Sequence, residues 1–183
     1  MARRTELVRE TRETEVRIVL DLDGTGETKV ECDDQFLRHM VETLGRYANF
    51  NLTVKAKGDD VHHLVEDVAI VLGKALRQSL GETPIERTAS ALMPMDDALV
   101  QVAVDIIERP YADLDCPDPL YTHFFRSFAM SSDITLHVMI LRGFDEHHLI
   151  EATFKALGKA LQAAVKPRSK ELSTKDRPRV SKK

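Results

Sequence analysis

Four segments alternate apolar and polar residues: Val16-Ile18-Leu20-Leu22, Leu52-Val54-Ala56, Val100-Val102-Val104-Ile106 and Ile134-Leu136-Val138-Ile140. A period of two buries one face of an extended chain and wets the other, so each is predicted as a half-buried β-strand. The first strand runs into Asp23-Gly24-Thr25-Gly26, a turn composition that predicts a hairpin returning through a short strand near Lys29 to Cys32. Four other segments space their apolar residues three and four apart: Phe36-Leu37-Met40-Val41-Leu44, Val65-Val68-Ala69-Leu72-Leu76, Leu120-Phe124-Phe125-Phe128 and Ile150-Phe154-Leu157-Leu161. These are predicted as amphipathic helices, each turning one face to a core.

In chain order the elements read β-β-α-β-α and then repeat. His62-His63-Leu64-Val65-Glu66 through Leu72-Gly73-Lys74-Ala75-Leu76 matches His147-His148-Leu149-Ile150-Glu151 through Leu157-Gly158-Lys159-Ala160-Leu161, at an offset of 85 residues. Gly58 and Gly143 keep that offset, each four residues ahead of a histidine pair, so the strand-to-helix turn is duplicated as well. The predicted fold is α+β, with internally duplicated β-β-α-β-α halves and a helix bundle packed between two sheets. The halves are expected over residues 1–90 and 91–166, followed by a basic tail over 167–183.

Composition narrows the setting. A chain of 183 residues, 43 % of them apolar, can bury a single large core. No stretch approaches the roughly 20 apolar residues of a membrane span, and Arg3, Arg4, Glu6, Arg9 and Glu10 deny the N-terminus a signal peptide's apolar centre. A cytoplasmic protein without a membrane partner is expected. Cys32 and Cys116 stand too far apart for a Cys-x-x-Cys site and are read as small buried apolar residues. The net charge of -4 is unevenly spread: from Lys166 onward eight Lys and Arg face only Glu171 and Asp176. With no basic stripe interleaved with aromatics elsewhere and no Trp, nucleic acid is not an expected partner. The tail is read as solvated or as contacting phosphate.

The repeated histidine pairs carry the chemistry. On a helix His62 and Glu66 are i,i+4 neighbours and His63 and Glu66 are i,i+3 neighbours, and either spacing lets two side chains share one ion. Adjacent residues diverge by about 100° around a helix, so His62 and His63 belong to different ions, as do His147 and His148 of the His147-His148-x-x-Glu151 repeat. His137, on the strand face opposite its apolar stripe, and His39, on the first helix, add two further imidazoles. Six imidazoles and two carboxylates form a nitrogen and oxygen set that suits manganese, iron or zinc, with the carboxylates favouring manganese. His123 has no carboxylate at helical spacing and is read as structural.

These residues, together with Glu13-Thr14, Phe36-Leu37-x-His39-Met40, Pro94-Met95-Asp96, Arg109-Pro110-Tyr111, His123-Phe124-Phe125, Thr135-Leu136-His137 and the Ala152-x-Phe154-Lys155-Ala156 that follows Glu151, resemble the imidazoleglycerol-phosphate dehydratases over roughly residues 9 to 175. The resemblance implies a hydro-lyase of histidine biosynthesis that removes water from imidazoleglycerol phosphate to give imidazoleacetol phosphate. It implies two manganese ions per chain between subunits, held by His39, His62, His63, Glu66, His137, His147, His148 and Glu151. It also implies a homo-oligomer of twenty-four subunits built from trimers. Glu13 is the implied acid/base candidate, and Arg87, Arg109, Lys155, Ser173 and Lys175 are the implied phosphate contacts, which would have the tail close over the site. The chain departs from the family pattern at Arg38, Thr43, Tyr47, Val61, Ile107, Glu108 and Asp145 and in a shorter loop at Gly58, none of them a predicted ligand. Two other readings stay open: a divergent dinuclear metalloenzyme of the same fold acting on another phosphorylated small molecule, and a non-catalytic metal-dependent assembly protein.

Overall fold

The computed structural model describes residues 3–170 and residue 172. The first half comprises β1 (Arg4–Glu10), β2 (Thr14–Asp21), β3 (Thr28–Cys32), α1 (Gln35–Ala48), β4 (Asn51–Gly58) and α2 (Val61–Leu80). The second comprises β5 (Thr88–Met95), β6 (Ala98–Asp105), β7 (Tyr111–Leu114), α3 (Pro119–Ser131), β8 (Thr135–Arg142) and α4 (Glu146–Ala164). Each half forms a four-stranded mixed sheet, ordered β1-β2-β4-β3 and β5-β6-β8-β7, so the two topologies superpose element for element. The duplicated β-β-α-β-α pattern is present, and each half carries one further strand ahead of it. The division between halves falls between Leu80 and Thr88.

Those leading strands are hard to read in the sequence for a physical reason. Outward-facing Arg4, Glu6 and Glu10 make β1 highly charged, and its inward positions are Thr5, Leu7 and Arg9. In β5 the inward positions are Ala89, Ala91, Met93 and Met95, which are only partly buried at the edge of the core. The hairpin expected at Asp23-Gly24-Thr25-Gly26 does not form. The turn wraps round Asn51 at the start of β4, whose side-chain oxygen accepts from Thr25 N–H at 2.9 Å and Glu27 N–H at 3.0 Å. Gly24 lies so close to Asn51 that an added Cβ would stand 2.3 Å from its backbone nitrogen. The chain therefore passes β4 and enters β3 at the sheet edge, parallel to β4. The hairpin of the first sheet joins β1 to β2 instead, and Thr11 Oγ1 closes its turn by accepting from Thr14 N–H at 2.9 Å.

The inward faces of both sheets and the apolar faces of all four helices meet in one core, which includes Val16, Ile18, Leu37, Phe124, Phe125 and Phe154. Across the middle, α1 packs on α4 and α2 on α3, so every helix of one half touches a helix of the other. The duplicated glycines permit these crossings: a Cβ on Gly73 would stand 2.7 Å from the Phe128 carbonyl oxygen, and one on Gly158 2.8 Å from that of Leu44. No helix among the described residues is long and apolar enough to cross a membrane.

Candidate metal centre

Both helices that carry a histidine pair begin in the same way. Asp60 caps α2 by accepting from His62 N–H at 2.7 Å, and Asp145 caps α4 by accepting from His148 N–H at 3.2 Å. A carboxylate here satisfies an otherwise orphaned N–H and favours the positive end of the helix dipole. The first turn of each helix is thereby fixed, and the pair projects from it.

Two three-residue clusters result. His39 of α1 joins His147 and Glu151 of α4, and His123 of α3 joins His62 and Glu66 of α2; within each, one ligand atom per residue lies within 4.8 Å of the others. His39 Nε2 and His147 Nε2 stand 3.4 and 3.3 Å from Glu151 Oε2, and His123 Nε2 stands 3.3 Å from Glu66 Oε1. Two donors about 2.1 Å from a common ion at ordinary coordination angles are roughly 3.0–3.4 Å apart, so these spacings fit a divalent cation. His123 Nε2 is buried without a hydrogen bond, an atom that a cation would satisfy. Glu151 is buried, which alone would raise its pKa; the Lys155 ammonium 2.9 Å away and His39 outweigh that and hold the carboxylate below its usual range.

The clusters are images of one another under the duplication. His39 and His123 are 84 residues apart on equivalent helices, and that offset was the sequence signal for His123 as a cluster member. His137 belongs to neither cluster. Its neighbours Leu136 and Val138 point into the helix layer, so its own side chain lies on the far face of β8, 3.7 Å from Asp113 and beside Tyr111.

The second histidine of each pair turns away from its own cluster, with ring planes of His62 and His63 at 82° and of His147 and His148 at 90°. His63 Nδ1 lies 3.0 Å from Asp59 and 3.8 Å from Glu13, and His148 Nδ1 lies 2.6 Å from Asp97. The Asp59 contact raises the pKa of His63 and lowers that of Asp59; the Asp97 contact does the same for His148 and Asp97. A carboxylate on Nδ1 leaves Nε2 as the free donor, the arrangement common to histidines that bind metals.

Of the expected phosphate contacts, Arg109 is exposed and no ion pair engages its guanidinium among the described residues. Arg87 Nε stands 2.9 Å from Asp105 Oδ1, and the Lys155 ammonium sits 5.7 Å above the Tyr47 ring as well as beside Glu151. Ser173 and Lys175 lie outside the described residues.

Comparison with known proteins places this arrangement. The imidazoleglycerol-phosphate dehydratase family pattern matches residues 32–161. The chain is 45 % identical over 186 residues to the imidazoleglycerol-phosphate dehydratase of Kineococcus radiotolerans, covering 91 % of this chain and 93 % of that one. A crystal structure of the enzyme from Pyrococcus furiosus, solved in complex with (S)-C348, superposes with a TM-score of 0.82 at 37 % identity over 92 % of this chain and 98 % of that one. The Staphylococcus aureus structure gives a TM-score of 0.81 at 29 % identity, over 90 % and 99 %. The chain belongs to the imidazoleglycerol-phosphate dehydratase family of hydro-lyases.

Proposed function

We propose that the protein is a manganese-dependent enzyme that removes water from imidazoleglycerol phosphate to give imidazoleacetol phosphate, with two ions per chain. The observation that carries this reading is the pair of symmetric nitrogen and oxygen clusters in a chain of this family. One ion is assigned to His39, His147 and Glu151 and the other to His62, Glu66 and His123, with His123 replacing His137 in the ligand set. His63 and His148, turned out of their own clusters, complete those of neighbouring copies in a homo-oligomer. Assembly into twenty-four subunits from trimers and a cytoplasmic location belong to the same reading.

Bound there, manganese supplies Lewis-acid stabilisation of an ionised imidazole, which makes the ring an electron sink for expelling the neighbouring hydroxyl. The remaining work falls to side chains. Glu13, exposed next to His63, moves the proton on carbon, which is weakly acidic because no carbonyl adjoins it. Arg109 takes the phosphate with its planar fork. Arg87 and Lys155, already sharing charge with Asp105 and Glu151, support it, and Ser173 and Lys175 complete the set. Glu151 must remain ionised to bind a cation, and Lys155 helps to keep it so.

The test is an assay of dehydration with the metal-stripped and the manganese-reconstituted protein, alongside elemental analysis. The expected result is turnover only after reconstitution, with two manganese ions per chain. Turnover at full rate without metal, or one ion per chain or fewer in the active protein, would overturn the reading. A dinuclear metalloenzyme acting on another phosphorylated small molecule is the second reading, favoured by Thr43 and Tyr47 at positions where the family contacts phosphate. Thr43 is buried, and Tyr47 lies with its ring beneath the Lys155 ammonium. Two bound ions with no turnover of imidazoleglycerol phosphate would select it.

A further inference from the structure

The two halves are not equivalent in how they hold the second histidine of each pair. Glu13 immediately precedes β2 and Asp97 immediately precedes β6, so the two carboxylates occupy matching places in the hairpin turns of the two sheets. Asp59 follows Gly58, and its counterpart after Gly143 is Phe144, which is 95 % exposed and cannot accept a hydrogen bond from an imidazole. In the first half Asp59 therefore takes His63 Nδ1 at 3.0 Å, and Glu13 stands back at 3.8 Å. In the second half the turn carboxylate does that work itself: Asp97 Oδ1 lies 2.6 Å from His148 Nδ1. Its other oxygen accepts from Phe144 N–H at 2.6 Å and Asp145 N–H at 3.1 Å, which locks the carboxylate to the entrance of α4. Asp96 lies 3.5 Å from His148 Nε2 and makes no hydrogen bond with it.

We propose that Asp97 is the positioning residue of the second half, holding His148 as the Nδ1–H tautomer with Nε2 presented as a donor, while Asp59 relieves Glu13 of the same task and leaves it available to substrate. The assignment rests on the metal-dependent reading above and deepens it. The duplication produced two turn carboxylates in the same place, and the single exchange of Asp for Phe at the mouth of the histidine helix divides their roles. One supports the centre and the other faces the reaction.

The decisive variant is Asp97→Asn. Its amide oxygen can still accept from Phe144 and Asp145, whereas its NH2 group facing Nδ1 imposes the opposite tautomer and puts a proton on Nε2. Manganese titration against a competing chelator should show affinity at one of the two sites reduced roughly ten- to a hundred-fold, with the melting point of the metal-free protein unchanged. Glu13→Gln should bind both ions as tightly as the parent and lose kcat. Asp59→Asn should lose less affinity than Asp97→Asn, because Glu13 can move onto His63, and the double variant Asp59→Asn with Glu13→Gln should lose as much. Parent-like manganese affinity in Asp97→Asn, or an equal loss in Glu13→Gln alone, overturns the assignment. Should Asp97→Asn fail to fold, a double variant that binds both ions as tightly as Asp59→Asn alone overturns it equally. A parent protein that takes up no manganese defeats the metal-dependent reading itself, a result distinguishable from all of these.

Discussion

Arg109 lies in the exposed segment before β7, where its backbone carbonyl accepts from the Thr135 hydroxyl at 3.1 Å and its guanidinium projects without an ion pair among the described residues. A cation so placed costs little to keep and is available to an anion. Arg109→Ala should remove a charge-assisted contact of about 1.5–3 kcal/mol, which corresponds to a fall in kcat/KM of roughly ten- to a hundred-fold. Metal content and melting point should stay at parent values, because nothing in the fold leans on the side chain. Steady-state kinetics and thermal unfolding of one preparation check both halves of this expectation, and unchanged kcat/KM with a lowered melting point would reassign Arg109 to structure. The same scale shows what a residue's neighbours in sequence reveal. His62, Glu66, His147 and Glu151 were legible because helical spacing acts within one turn. His123 has no carboxylate at helical spacing, since its partner Glu66 sits on a different helix and packing brings the two to 3.3 Å, so the repeat offset from His39 was the one signal the sequence held for it.

At the scale of elements, the helices cross where glycine lets two backbones approach. Gly158→Ala would put a Cβ 2.8 Å from the Leu44 carbonyl and 2.8 Å from the Tyr47 Cβ, and backbone cannot swing aside as a side-chain tip can. Overpacking of this kind costs about 1–3 kcal/mol, against up to about 1 kcal/mol regained in helix propensity. The expected outcome is a melting point lower by a few degrees, measured on the metal-free protein so that binding does not mask it. An unchanged or raised value would mean that α1 and α4 separate without penalty. The four helices and the inner strands were readable because each buries a periodic stripe of large apolar residues. β1 and β5 were not, since charge dominates one and the other buries its inward alanines and methionines only partly while exposing Leu92, and the course of the chain after Asp23 depends on Asn51, a residue twenty-eight positions away.

At the scale of the molecule, each chain presents two three-residue clusters among the described residues, and in the proposed assembly His63 and His148, which lie outside them, complete the clusters of neighbouring copies. Binding energy placed between chains becomes assembly energy, so chelation should break the large particle into smaller oligomers, trimers being the expected product, and manganese should restore it. Sedimentation before and after stripping, with the metal content measured, tests this; an unchanged particle in fully stripped protein would count against it. The cross-pairing of helices has its own consequence. Because α1 meets α4 and α2 meets α3, the sheet of each half covers its own helices on one side only, and the other half covers the rest. A half-length chain would leave both apolar helix faces open, and the surface that fits them best is the same surface on another copy. The repeat is therefore a partnership held within one chain: each half supplies the surface the other lacks, and the covalent link keeps the two together at every protein concentration, whatever becomes of the assembly.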